Sequence, residues 1–338
     1  MNSSLRGTIE PRKRDGIRGT ASLADPLSHR RFLGSMVSPA SFRRFRRCPP
    51  SHRSYTVPMT DPRESGSSAE VESRIRLGVV EFLNSQPIIS GLDRLEDLEL
   101  KYAVPSRLVH LLDEGHVDAA LCSSIDYHRA AHELLLLPAP PLGCDGATHT
   151  VRLYSRNSIE TVDRVHCDTD SHTSVILLQV LFRELHGRAV EIVPFDASAG
   201  SNWPDAVLLI GDKVVSSAPD DAMFPHQLDL GEAWKDLTGL PFIFGAWLAR
   251  ADGDADAHRL VCMLLDRQYR YNRMHLESVV AHAGAHRAWP DELAHHYLSN
   301  EIRYEFGPRQ RAGLERFYEL AGRHGLVELR LPIRWLEL

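Results

Sequence analysis

Residues 74–87 read RIRLGVVEFLNSQP, and this stretch predicts a strand that leads directly into a helix. The apolar run 77–82 is typical of a buried strand, and Asn or Ser followed by Pro is typical of a helix start. Ligands of open α/β sheets bind beyond the carboxyl ends of the strands. Asn84 and Ser85, which follow this strand, are therefore candidate ligand-binding residues.

Small polar residues also follow the next predicted strands. Hydroxyl groups and free backbone N–H groups at helix starts bind anions, so several of them in one cleft would hold a carboxylate or dicarboxylate. Plain helix capping explains each residue equally well, and the pattern alone leaves that alternative open. Besides Ser85, the candidates for substrate binding are Ser106, Ser124, Ser171, His172, Thr173 and Ser174.

One carboxylate belongs to the same pattern. Asp212 follows the apolar run 206–210, so it either enters the cleft or caps a helix. We include it among the candidate substrate-binding residues and regard it as the first candidate for a general base.

Short apolar runs alternate with amphipathic stretches from Arg74 onward, which predicts βαβ units and a mainly parallel sheet. From about Asp254 the pattern predicts helices only. Two strands, 150–156 and 241–250, have the composition of hinge strands. We therefore expect an α/β fold of two lobes with a central cleft. Lobe one is discontinuous, with a first part at 74–155 and a return strand and helices at 245–338, and lobe two spans 156–244.

The composition excludes several classes of protein. With 43% hydrophobic and 25% charged residues the chain resembles an ordinary globular protein, and it contains no apolar run long enough to span a membrane. Its five cysteines are odd in number and include no C-x-x-C, which favours reduced thiols and a cytoplasmic location. His282 and His286 have the i,i+4 spacing of metal ligands, but no H-E-x-x-H occurs, so we expect a solvated helix face and no metal. There is also no P-loop, G-x-G-x-x-G or G-x-S-x-G.

The first 73 residues differ from the rest. Residues 1–58 contain 12 Lys and Arg against 3 Asp and Glu, whereas the whole chain has a net charge of −6. We expect this segment to be a disordered basic extension. SHRRFLG at 28–34 faintly resembles a twin-arginine signal, but no apolar region follows it. The remaining interpretations are a transit peptide, a nucleic-acid contact, and an upstream start codon before a gene that begins at Met36 or Met59.

Beyond these patterns, the chain resembles a known family from about Arg74 to its end. The resemblance is carried by motifs that occur in a fixed order: LNSQP, VPSRL, VDAALCSSIDY, DTDSHTS, AVLLIGD, DLGEAWKDLTGLPFIFGAW, YLSNEIRYEFG and GLERFYELA. Together they are similar to the chorismate dehydratases, the first enzymes of the futalosine route to menaquinone. The combination of LTGLPFIFGAW with the leading LN-x-x-P is specific.

The resemblance implies a periplasmic-binding-protein type II fold used as an enzyme. It implies dehydration of chorismate to 3-[(1-carboxyvinyl)oxy]benzoate, with no cofactor, a small molecule as the partner, and neither nucleic acid nor a membrane. In the family, the Asn of LN-x-x-P and a Ser before the first hinge strand face the substrate. They correspond to Asn84 and Thr150, which we expect to be catalytic. His172 stands where the family usually has Arg, and this change is expected to weaken a carboxylate site.

None of the motif residues is a strong base, so we expect a substrate carboxylate to accept the proton. Two other functions remain open at this point. One is a non-catalytic small-anion binding protein of the same fold. The other is the later 1,4-dihydroxy-6-naphthoate synthase of the same superfamily, which lacks the LN-x-x-P start. A regulator that binds nucleic acid through the basic segment is a further alternative.

Overall fold

A computed structural model of the protein describes residues 74–196 and 202–338. The predicted basic extension, residues 1–73, lies outside the described residues. The strands are β1 (Ile75–Val79), β2 (Leu98–Tyr102), β3 (Ala119–Ser123), β4 (Leu134–Leu136), β5 (Leu142–Cys144), β6 (Val151–Ser155), β7 (Arg164–Asp168), β8 (Glu191–Phe195), β9 (Ala206–Ile210), β10 (His226–Asp229), β11 (Phe242–Arg250) and β12 (Ile302–Arg303).

Helices connect and cover these strands. They are α1 (Gln86–Ile89), α2 (Pro105–Asp113), α3 (His172–His186), α4 (Lys213–Ser216), α5 (Leu230–Thr238), α6 (Ala255–Met274), α7 (Leu276–Ala283), α8 (Asp291–His296) and α9 (Pro308–Arg323). Local sequence explains several of their ends. At α3, the Ser171 hydroxyl accepts from the N–H of Ser174, and Gly187 ends the helix in the left-handed conformation.

The strands form two sheets. The seven-stranded sheet has the order β12-β5-β11-β3-β1-β2, with β4 also paired to β11, and the five-stranded sheet has the order β10-β6-β9-β7-β8. The five-stranded sheet contains the consecutive strands β6–β10. The seven-stranded sheet contains β1–β5, which precede them in the sequence, and β11 and β12, which follow them. The lobe that contains it is therefore discontinuous in sequence.

The prediction of a mainly parallel sheet is wrong. Parallel pairing is confined to one end of each sheet, where β1 pairs with β2 and β3, and β7 pairs with β8 and β9. The long strand β11 runs antiparallel to β3, β4 and β5, and β6 runs antiparallel to β9 and β10. In the seven-stranded sheet, β11 is the strand that returns from the other lobe, and it is added in the direction opposite to β3.

The two hinge strands each lie within one sheet. β6 belongs to the five-stranded sheet from Val151 onward, and β11 belongs to the seven-stranded sheet from Phe242 onward. The chain therefore changes lobes just before these strands, at the segments that precede Val151 and Phe242.

Two local predictions are corrected. The amphipathic stretch 125–133, one of those expected to connect strands as a helix, is a 3-10 turn, Ser124–His128, followed by a loop. The C-terminal part is not entirely helical, because Ile302–Arg303 forms β12 against β5. Among the described residues, no helix combines the length and apolar character that a membrane span requires.

The core holds the turn after β1 in place. Leu77 and Val79 of β1 are fully buried, and α1, which follows the turn, packs on α6. Asn272 of α6 donates its side-chain N–H groups to the carbonyls of Pro87 at 3.2 Å and Ser90 at 2.9 Å. These bonds fix both ends of α1, and with them the position of Asn84.

Candidate active site

Asn84 lies in the 3-10 turn Leu83–Ser85 between β1 and α1. Its backbone carbonyl accepts from the Tyr304 hydroxyl at 2.8 Å. Its side-chain oxygen, Oδ1, is buried and has no hydrogen-bond partner among the described residues. A buried amide oxygen without a partner is costly, and Asn84 lines a cavity between the two sheets, so this oxygen indicates a place for a hydrogen-bond donor of a ligand.

The second expected catalytic residue lies on the segment Thr148–Thr150, where the chain crosses between lobes. The Asp229 carboxylate accepts from the N–H groups of Thr148 at 3.0 Å and His149 at 2.8 Å. His149 has a φ of 62°, which a non-glycine residue adopts only where its surroundings hold it. Asp229 also caps α5, so one buried carboxylate fixes both the helix start and the segment that carries Thr150.

Tyr297 joins the two expected catalytic residues. Its hydroxyl lies 2.8 Å from Oγ1 of Thr150 and also contacts the Asn84 side chain. Burial raises the pKa of Tyr297, and the contacts with Thr150 and Asn84 oppose the shift only in part. The hydroxyl is therefore neutral and acts as a hydrogen-bond bridge. Since Asn84 Oδ1 has no partner, the amide contacts Tyr297 through its NH₂ group.

A narrow cavity opens beside these residues, between the two sheets. The space that a water molecule can enter inside it is about 40 Å³. None of the described residues that line it has a charged or titratable side chain. The lining residues are Val80, Phe82, Asn84, Pro105, Leu121, Leu142, Thr148, Thr150, Val151, Ser171, Ser174, Ile210, Gly211, Phe244, Gly245 and Ile302.

The first turn of α3 forms one wall of this cavity. Ser171 and Ser174 line it, and their hydroxyls lie 3.1 Å apart. The start of a 15-residue helix carries a partial positive charge and hydroxyl donors, which suits a carboxylate. Of the residues predicted to bind substrate, these two are the ones that the structure places at the cavity.

Four other predicted residues have structural roles instead. Ser85 donates to the carbonyls of Val80 and Phe82, which closes the turn that carries Asn84. The buried Ser106 begins α2, where its N–H donates to the Asp170 carbonyl at 2.9 Å. The Ser124 hydroxyl donates to the Ile243 carbonyl at 2.8 Å, and Thr173 Oγ1 accepts from the N–H of Ile125 at 3.1 Å. None of the four lines the cavity, and the hydroxyls of Ser85, Ser124 and Thr173 bind the backbone.

Comparison with known proteins decides the family. A sequence model of a family described as menaquinone biosynthesis matches residues 75–323. The chain belongs to this family. A chorismate dehydratase from Thermus thermophilus is 30% identical over 273 residues, covering 73% of this chain and 94% of the relative. The resemblance to the chorismate dehydratases that the motifs predict is confirmed.

Solved structures show the same fold at low sequence identity. An Archaeoglobus fulgidus protein matches with a TM-score of 0.63 at 18% identity, covering 75% of this chain and 99% of its own. A Candida albicans protein described as having the generic periplasmic binding protein fold gives 0.58 at 11% identity, covering 78% and 98%. The aliphatic sulphonate binding protein of Escherichia coli gives 0.53 at 16% identity, covering 77% and 96%. The predicted two-lobed, periplasmic-binding-protein-like fold class is confirmed.

His172 does not line the cavity, contrary to prediction. Its Nδ1 lies 2.7 Å from Oδ1 of Asp126, whose side chain is fully buried. Burial raises the pKa of Asp126, and the hydrogen bond from His172 opposes the shift. The imidazole therefore ties α3 to the turn after β3. A substrate carboxylate would have to be held by other groups.

Asp212 also lies outside the cavity lining, although its neighbour Gly211 is part of it. Its Oδ1 accepts from the backbone N–H of Leu83 at 3.2 Å and from the indole Nε1–H of Trp289 at 3.0 Å. A carboxylate occupied in this way is poorly placed to take a proton from a ligand. The interpretation of Asp212 as a substrate-binding residue or general base is therefore not supported by its contacts.

Sequence reasoning missed Tyr297 and Trp289. Tyr297 opens the motif YLSNEIRYEFG, and it also begins a π-helical turn, Tyr297–Glu301. Such turns occur frequently at functional sites, but the sequence does not reveal them. Trp289 stacks on Tyr297 with ring centroids 5.1 Å apart. Only the folded chain brings both residues, about 200 positions after Asn84, against the turn after β1.

Proposed function

We propose that this protein dehydrates chorismate to 3-[(1-carboxyvinyl)oxy]benzoate, the first step of the futalosine route to menaquinone. Family membership and the chorismate dehydratase relative support the reaction class. One structural observation carries the assignment to this cavity: Asn84 and Thr150, linked by Tyr297, face a cavity whose described lining residues lack a titratable side chain. A partner other than a small molecule is not needed for this reaction.

The neutral lining determines what the protein can contribute. Dehydration removes a hydrogen from the ether-bearing ring carbon and the hydroxyl from its neighbour. Because no carboxylate, imidazole or amine of the described residues lines the cavity, the proton acceptor is a carboxylate of the substrate itself. The protein then acts by orientation and by hydrogen bonds to the groups on which charge develops.

Hydrogen-bond polarity assigns a role to each residue. The Asn84 amide gives its NH₂ to Tyr297, so its free Oδ1 accepts from a substrate hydroxyl. Either hydroxyl of the Tyr297–Thr150 pair can donate. When Tyr297 donates, the Thr150 hydroxyl proton, which points to the Thr148 carbonyl 3.4 Å away, can turn to the departing oxygen. The ring hydroxyl of chorismate is both donor and acceptor, and so it fits between them.

The reaction can be written with all atoms accounted for. A substrate carboxylate takes the ring proton, the electron pair of the broken C–H bond forms the aromatic bond, and the C–O bond to the hydroxyl breaks. The departing hydroxide takes the same proton back from the substrate carboxylic acid and leaves as water, which restores the carboxylate. Aromatisation supplies the driving force. The start of α3 and the hydroxyls of Ser171 and Ser174 hold the substrate carboxylate that does not take the proton. This contact keeps the substrate out of the conformation that its competing rearrangement requires.

The test is incubation of the purified full-length chain with chorismate, followed by separation and mass analysis of the products. We expect a product one water lighter, and loss of turnover by about 10²–10³ in Asn84→Ala. Gln86→Ala is the matched control and should retain activity, because Gln86 lies two residues after Asn84, at the start of α1, but does not line the cavity. Tight binding without product would favour an anion-binding protein. Turnover of the cyclic, nucleoside-derived substrate instead would favour the naphthoate synthase.

The cytoplasmic location and the absence of a cofactor stay predictions of the sequence. Chemical analysis of the active protein for bound metal and organic groups checks the second. The division into lobes at the predicted boundaries also stays a prediction, and limited proteolysis of the full-length chain is its direct check.

A further inference from the structure

Asp212 connects the second lobe to two different segments of the first. It follows β9 of the five-stranded sheet, whereas its partners Leu83 and Trp289 belong to the segments after β1 and after α7. Oδ1 accepts both hydrogen bonds, of 3.2 and 3.0 Å, and the Leu83 N–H also lies 3.3 Å from Oδ2. The other oxygen lies 3.7 Å from Nε of Arg287.

Each partner of Asp212 touches the proposed site. Leu83 directly precedes Asn84, so a bond to its N–H fixes the turn that presents the amide oxygen. Trp289 stacks on Tyr297 at an interplanar angle of 25°. One carboxylate therefore holds both the backbone that carries Asn84 and the ring that supports the Tyr297 bridge.

The two lobes are in close contact at this point. Gly211 has a φ of +63°, and a Cβ added there would lie 3.0 Å from ring atoms of Phe82. Both Gly211 and Phe82 line the cavity. The seam between the lobes therefore forms part of the cavity wall, and Asp212 lies immediately behind it.

We propose that Asp212 is a positioning residue that locks the second lobe onto the Asn84 turn and the Trp289–Tyr297 wall, so that lobe closure and assembly of the site occur together. The proposal rests on the proposed function, since its consequences are measured on that reaction. It assigns Asp212 no contact with substrate and no proton transfer.

A substitution pair separates this role from that of a general base. In Asp212→Asn an amide oxygen in the place of Oδ1 can still accept both hydrogen bonds, because Oδ1 is within hydrogen-bond distance of both donors. In Asp212→Ala both are lost, and the Leu83 N–H and the indole N–H lose their partner. We expect kcat to fall about tenfold to a hundredfold in Asp212→Ala, and to stay within about threefold of the parent in Asp212→Asn.

A second variant keeps the test informative if Asp212→Ala does not fold. Trp289→Phe retains an aromatic ring over Tyr297 but removes the indole donor, and we expect an intermediate loss of about threefold to tenfold in kcat. Substrate affinity at equilibrium should change less than kcat, because the contacts of Asp212 do not involve the substrate. A purely structural role would lower the melting temperature without this separation between kcat and affinity.

The outcomes distinguish the two claims. If the parent does not turn over chorismate, the proposed function fails. If the parent is active and Asp212→Ala retains kcat within about threefold, the positioning role is overturned. If Asp212→Asn loses as much as Asp212→Ala, both beyond about a hundredfold, Asp212 transfers a proton and the positioning role is again overturned.

Discussion

Replacing Tyr297 by Phe removes a single hydroxyl and leaves the ring in place. The ring is fully buried and stacks on Trp289, so little packing is lost. What is lost is a 2.8 Å hydrogen bond to Thr150 and a contact with the Asn84 side chain. Two buried polar groups then lose a partner, and leaving such groups unsatisfied costs about 1–3 kcal/mol.

If that cost raises the free energy of the transition state relative to that of the bound substrate, kcat for chorismate dehydration falls about 5-fold to 150-fold. The assay is steady-state product formation at a temperature at which circular dichroism shows both proteins to be folded. The loss should appear in kcat more than in KM, because the bridge orients groups that act on the departing hydroxyl.

A double-mutant cycle tests the bridge itself. Thr150→Val keeps the shape of the side chain but removes the other hydroxyl of the pair. If the two hydroxyls act together, the double variant loses less than the sum of the single losses, with a coupling of about 0.5–3 kcal/mol. Additive losses, or a Tyr297→Phe variant within about twofold of the parent, would refute the reasoning.

Three further predictions concern the site, the pH dependence of stability and packing. Thr150→Ser, which keeps the hydroxyl and restores the usual residue of the family, should retain kcat within about threefold, whereas Thr150→Val should lose about tenfold or more, as product formation will show. Burial, assisted by the charge of Arg330, lowers the pKa of His128 to about 4 in the folded protein. Below about pH 6.5 the unfolded chain therefore takes up a proton that the folded chain does not take up until about pH 4. Urea titrations should show the free energy of unfolding falling by up to about 1.4 kcal/mol per pH unit as the pH is lowered from about 6.5 to about 4. His128→Gln should reduce this slope. A Cβ at Gly313 would overlap with the Pro241 carbonyl oxygen, so Gly313→Ala should lower the free energy of unfolding by about 1–3 kcal/mol. Replacing the exposed Glu315 on the same helix by Ala should change it by less than about 0.5 kcal/mol. Equal effects of the two substitutions would contradict the packing argument.

Local patterns predict the elements that depend on neighbouring residues. The apolar run after Arg74 forms β1, and the polar turn that follows it carries Asn84 at the cavity. The Ser171 cap and the apolar face after it form α3 as expected. These features follow from strand burial, capping and helical periodicity, which act over a few residues.

Features that depend on distant contacts are not predictable in this way. The sequence places His172 and Ser174 in the same helix turn, yet only Ser174 faces the cavity, because Asp126 binds the His172 side chain from another element. Similarly, Asp212 follows a strand as a ligand-binding residue would, but the folded chain brings Trp289 to its carboxylate. Side-chain direction and cross-lobe partners decide these roles, and neither has a local sequence pattern.

The antiparallel return of β11 has the same origin. Its composition predicts a strand, and Phe242 and Trp247 are buried as expected, but its direction follows from where the chain re-enters the first lobe. The two-residue strand β12 forms only because β5 offers a free edge to it. Both results show that strand pairing is decided by topology after the strands themselves are specified.

The measurement that tests the central claim most directly is the mass of the product that the full-length chain forms from chorismate. The account predicts an aromatic product lighter than chorismate by one water, formed by the parent and lost in Asn84→Ala. Chorismate that stays unchanged, or a product of the same mass as chorismate formed by rearrangement, would contradict it.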